Sequence, residues 1–134
     1  MSALSASLII GVIWGLYHLP LSFTGSAFRS PSIFIPFFIS TIALSVILTW
    51  VYNSTGGSLL LVVLLHATAN LPIRLLYEAL GSRVTVPVLL YFGLMVVAAI
   101  VVVIVARPAH LSRTHRKQEE ATQPEVPTAA TRVV

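Results

Sequence analysis

Four apolar blocks, Ala3 to Phe23, Ile33 to Val51, Ser58 to Leu76 and Val86 to Ala106, are separated along this chain by short polar breaks. Each block approaches the ~20 residues that a helix needs to cross the hydrocarbon core of a bilayer. The breaks carry turn and loop chemistry: Thr24-Gly-Ser with Ser30-Pro31, Asn53-Ser-Thr-Gly-Gly57, and Gly81-Ser-Arg before Pro87. The pattern predicts an all-α membrane protein, a bundle of about four transmembrane helices over residues 1–106, with no internal repeat. Residues 107–134 mix Arg, Lys, Glu, Gln, Pro and Thr and are expected to form a disordered C-terminal tail, helical at most briefly.

Composition strengthens that reading. Of 134 residues 57% are hydrophobic and 9% charged, with a mean hydropathy of +0.94, outside the range of ordinary soluble domains. Before Arg74 the one formally charged side chain is Arg29, so the run from Ser30 to Ile73 holds two uncharged spans. The first block lacks a basic leader and contains Trp14, His18 and Pro20 where a small-residue cleavage site would be needed; it reads as a retained helix and not as a secretory signal.

The net charge of +4 would suggest nucleic acid in a soluble protein. Here Arg107, Arg113, Arg116, Lys117 and Arg132 all follow the last apolar block, so the positive balance is a juxtamembrane tail suited to anionic lipid, and no nucleic-acid partner is expected. By the positive-inside bias the tail is placed in the cytoplasm, with the N-terminus on the same side of a bacterial plasma membrane. His110 and His115 in the tail are read as solvated side chains. The chain has no cysteine, which removes disulfides, thiolate ligands and thiol nucleophiles.

Against this apolar background the intramembrane polar residues carry the functional signal, because an ionisable group in a span is costly. Trp14 and His18 are four residues apart in the first block, and His66 and Asn70 are four apart in the third. That spacing puts each pair on one helix face, and Arg74 continues the line of His66 and Asn70 by a further turn. Each residue also has a structural reading: a satisfied intramembrane His, an Asn bonding between helices, a packing or interfacial Trp. His18 lies about 15 residues into its block and His66 about 8, which puts the two roughly 10 Å apart in depth. Pro20 and Pro72 each follow a histidine motif and remove a backbone donor, so kinks that free carbonyls are expected there.

Carboxylates are scarce. The chain contains no Asp, and its Glu residues are Glu78, Glu119, Glu120 and Glu125. Glu78 is 12 residues beyond His66, about 18 Å along a helix. A hydrolytic zinc site takes three protein ligands and an acid/base group, and metal-free water activation calls for a carboxylate near an imidazole. His18, His66 and Asn70 supply only part of either.

Taken together, G-x-x-W-x-x-x-H-x-P from Gly11 to Pro20, the run Val51-Tyr-Asn-Ser-Thr-Gly-Gly-Ser-Leu-Leu60, and H-x-x-x-N from His66 to Asn70 resemble the CPBP family of intramembrane proteases. That family includes the type 2 CAAX prenyl proteases and bacterial relatives linked to abortive infection or bacteriocin immunity. The resemblance covers roughly Ser5 to Pro72. It implies a helical membrane endopeptidase with His18, His66 and Asn70 as catalytic residues, binding the attacking water, the developing oxyanion or, if one is used, a divalent metal such as zinc on His18 and His66. Its partners would be membrane lipids and a membrane-associated protein or peptide substrate. The family's Glu-Glu-x-x-x-Arg motif, which supplies the carboxylate, would have to precede Met1. Residues 1–106 are accordingly expected to be the C-terminal part of a longer protease domain, without peptidase activity alone. A non-catalytic membrane immunity or scaffold protein of the same fold is the alternative. A small transporter or proton pathway using His18 and His66 is a third reading, with no repeat or acidic partner to support it.

Overall fold

The computed structural model describes residues 2–24, 30–106 and 111, leaving aside the side chain of Ser82. Among them are four helices long and apolar enough to span a membrane: α1 (Ala3–Tyr17, extended by a 3-10 turn at Leu19–Phe23), α2 (Pro31–Ser54), α3 (Leu59–Leu80) and α4 (Thr85–Ala106). The chain is an all-α integral membrane protein. Arg29, His110, His115, the basic cluster after Ala106 and the expected disorder of the tail all fall outside the described residues.

Local chemistry sets the helix ends. Ser2 caps α1, its Oγ accepting from the Ser5 backbone N–H at 3.1 Å. α1 ends as an α-helix at Tyr17 because Pro20, three positions on, has no N–H to donate and its ring crowds the Leu16 carbonyl; the chain passes through His18 into the 3-10 turn. The expected kink at Pro20 is thus a change of helix type. Pro72 behaves differently: α3 runs through it to Leu80. α3 outlasts the expected Leu76 by a turn, where Arg74 Nε donates to Glu78 at 2.9 Å, and stops at Gly81, whose φ of 51° suits glycine. α2 likewise runs from Pro31 at its first turn to Ser54, beyond the expected Ile33 to Val51, with Thr55 Oγ1 capping the Val51 carbonyl at 2.7 Å.

α2 is the central helix and packs against α1, α3 and α4. Its contact with α1 is a seam of small residues. Ser7, Gly11 and Gly15, four apart, are the buried residues of α1. A Cβ on Gly11 would lie 2.8 Å from the Ile42 Cα, and one on Gly15 would lie 2.6 Å from the Phe38 ring, so only glycine permits this approach. Ser45 Oγ, buried on α2, donates to the Ser7 carbonyl across the seam at 2.8 Å. On the other side Ala43 and Val46 of α2 pack with Ala99 and Ala106 of α4, while Val84, Val88 and Phe92 form a second buried cluster under Phe37, Ile73 and Tyr77. α3 is held more lightly and has no buried residue.

Candidate functional site: a histidine-asparagine cavity within the bundle

Trp14 and His18 from α1 meet His66 and Asn70 from α3 at one cavity of about 100 Å³, floored by Phe37, Ser40 and Thr41 of α2 and closed by Tyr91, Phe92 and Met95 of α4. That volume holds a few water molecules. The depth difference of roughly 10 Å expected between the histidines from their places along ideal helices does not keep them from one cavity. Trp14 stands between them, its ring centroid 5.1 Å from that of His66 and 6.2 Å from that of His18. Its role is therefore to join the two motifs through packing.

The hydrogen bonds fix how each polar side chain presents itself. His18 Nδ1 lies 2.8 Å from the Trp14 carbonyl oxygen, an acceptor, so Nδ1 carries the proton and donates it. Its Nε2 then keeps a lone pair. The His18 ring is held edge-on by Phe37 at 5.3 Å, and Phe37 by Phe92 at 5.9 Å. Asn70 Nδ2 donates to His66 Nε2 at 3.0 Å, which assigns the proton on neutral His66 to Nδ1. Asn70 retains Oδ1 as an acceptor and a second amide N–H as a donor. Ser40 and Thr41 are buried, and both hydroxyls donate to the Phe37 carbonyl, at 2.8 and 3.0 Å, leaving their oxygens as acceptors at the cavity floor.

Arg74, next on the stripe of His66 and Asn70, is not among the cavity residues; it is largely exposed and pairs with Glu78. No carboxylate lines the cavity, and the described residues contain no group of three His, Cys, Asp or Glu placed to hold a metal ion. Two imidazoles, one of them already accepting from Asn70, fall short of the three protein ligands of a catalytic zinc site.

Sequence reasoning missed three cavity residues. Ser40 and Thr41 read as ordinary small polar residues in a span, although their burial beside an aromatic run is a usable signal. Tyr91 is the third: its hydroxyl donates to the Ala69 carbonyl and so bonds α4 to α3 beside Asn70.

A membrane-helix bundle whose first and third spans deliver two histidines and an asparagine to one enclosed pocket defines an integral membrane protein with a polar intramembrane site. The chain belongs to the type II CAAX prenyl endopeptidase Rce1-like family, whose model matches residues 1–72 and so includes Trp14, His18, His66 and Asn70. A curated relative, CAAX prenyl protease 2 of Methanococcus maripaludis, is 31% identical over 81 residues, covering 56% of this chain and 30% of that protein. The chain thus spans less than a third of that relative. No solved structure matches it.

Proposed function

We propose that the cavity is the histidine-asparagine half of an intramembrane endopeptidase site, with His18, His66 and Asn70 as its catalytic residues. The observation that carries this reading is the convergence of both motifs, from separate spans, on one water-sized pocket. Family membership and the relative's name support a peptide substrate anchored at the membrane, prenylated or otherwise lipid-bound.

The roles follow from the proton assignments. His18 Nε2 accepts a hydrogen bond from the attacking water and orients it. The free amide N–H of Asn70 donates to the oxygen that gains negative charge as the peptide carbon becomes tetrahedral; donors of this kind are worth about 10² to 10³ in kcat. His66 fixes the Asn70 amide by accepting its other N–H. The water's proton must go to a base and later reach the leaving amine, and the nearest charged candidate on α3, Glu78, is engaged by Arg74. The carboxylate for that transfer is assigned to a segment outside residues 1–134. No step is assigned to a metal, because the cavity donors do not complete a zinc set. The protein is placed in the plasma membrane with its basic tail in the cytoplasm.

The test is cleavage of a prenylated peptide in vesicles by this chain, alone and joined to a segment carrying Glu-Glu-x-x-x-Arg. Cleavage that appears with the segment and is lost in His66→Ala and Asn70→Ala, with helix content intact, supports the site. Cleavage unaffected by either substitution would sink it. The lack of a cavity carboxylate also supports a second reading, a non-catalytic membrane protein of the same fold; no cleavage with the segment present favours that one.

A further inference from the structure

Three features isolate the turn of α3 that carries His66 and Asn70. α3 has no buried residue, so packing alone does little to fix its rotation or height against the bundle. Pro72 lacks the N–H that the Thr68 carbonyl would accept, which loosens the helix at the turn where Asn70 sits. At that turn the Tyr91 hydroxyl of α4 reaches across 22 positions of sequence to the Ala69 carbonyl.

Tyr91 is itself set in the firmest part of α4. Its neighbour Phe92 is buried with Val84 and Val88, and Phe92 stacks on Phe37, which in turn abuts His18. Two adjacent residues of one helix thus bear on the two halves of the cavity: Phe92 on the His18 side through Phe37, and Tyr91 on the His66 side through the α3 backbone. The Tyr91 ring lines the cavity, while its hydroxyl proton is committed to Ala69. Tyr91 lies beyond residues 1–72, the part that the family model matches.

We propose that Tyr91 is a positioning residue, whose hydroxyl sets the His66–Asn70 turn of α3 against Trp14 and so fixes the spacing of the two histidine motifs. Its relevance to catalysis rests on the site proposed above; the positioning itself does not. An interhelical hydrogen bond in hydrocarbon has no water to replace its partner, so its loss is felt as movement of the less packed element, here α3.

The test reads geometry and not turnover. Side-chain NMR spectra of the full chain in detergent micelles, labelled with 15N-histidine and assigned through His18→Ala and His66→Ala, report each imidazole separately. In the parent chain the ring protons of His66 should be displaced upfield by the adjacent indole of Trp14. Tyr91→Phe removes one hydroxyl and keeps the ring; it should abolish that displacement while leaving the His18 signals and the helical circular dichroism unchanged. His66 signals identical in Tyr91→Phe and parent would overturn the proposal. Absence of the upfield displacement in the parent would overturn it too, since His66 would then not sit against Trp14. Loss of helix content in Tyr91→Phe would also overturn it, because the hydroxyl would then hold the whole bundle and not one turn. Failure of peptide cleavage leaves this readout untouched, so the two proposals fail separately.

Discussion

The α1–α2 seam and the α3 helix are built on opposite principles. At the seam, Ser7, Gly11 and Gly15 let two backbones approach until no Cβ fits between them, and Ser45 adds a cross-helix hydrogen bond within that contact. Close van der Waals packing stands in for the hydrophobic driving force that a bilayer does not provide between helices. α3 has no such seam, and its polar stripe faces a cavity instead of a neighbouring backbone. The frame is therefore rigid where α1 carries His18 and adjustable where α3 carries His66 and Asn70. Pairing one fixed motif with one lightly held motif leaves room for a further element and for substrate beside α3.

The contrast is broken most severely at the chemistry. In a protein supplied with the carboxylate segment, His18→Ala should lower kcat for peptide cleavage by about 10² to 10⁴, the range for a group that orients or relays a proton, with little loss of folded protein. A fall confined to KM would mean that His18 binds substrate and does not handle water. Gly11→Val attacks the frame instead. With Ile42 Cα inside contact distance of any Cβ, it should cost about 1–3 kcal/mol, read as earlier unfolding in a detergent titration. The same substitution at Gly93, where an added Cβ meets nothing within 4 Å, gives the control and should change far less. Ser45→Ala, which removes the bond to the Ser7 carbonyl, should cost ~0.6–1.7 kcal/mol in the same titration, typical of hydrogen bonds between membrane helices. The smallest effect is expected at Glu78→Gln: cleavage by the segment-supplied protein should be unchanged, because that carboxylate is exposed and already paired with Arg74. A large fall there would make Glu78 the acid/base group after all.

The same contrast governs what could be read from the sequence. The spans were legible because twenty-residue apolar blocks and Gly/Pro/Ser breaks have no other use in a chain this hydrophobic; their ends moved by a turn or less where Pro31, Arg74–Glu78 and Gly81 set local capping. His18, His66 and Asn70 were legible because polar groups in spans need a reason. The small-residue seam is also visible once Ser7, Gly11 and Gly15 are counted at a period of four. The relative depth of the two histidines was not, since it depends on where α1 changes to a 3-10 turn and on the Trp14 ring that bridges the gap. Tyr91 was hidden for a different reason: a tyrosine in a span reads as an interfacial aromatic, and its bond to Ala69 depends on how α4 returns past α3.

The central claim is that His66 and Asn70 act as one unit inside a hydrolytic cavity. Its most direct test is a double-variant cycle on kcat/KM for prenylated-peptide cleavage by the segment-supplied protein in vesicles. Residues that work as a unit are strongly non-additive, so the His66→Ala/Asn70→Ala double variant should be about as slow as the slower single variant. Losses that simply multiply, or cleavage unchanged in all three variants, would contradict the account.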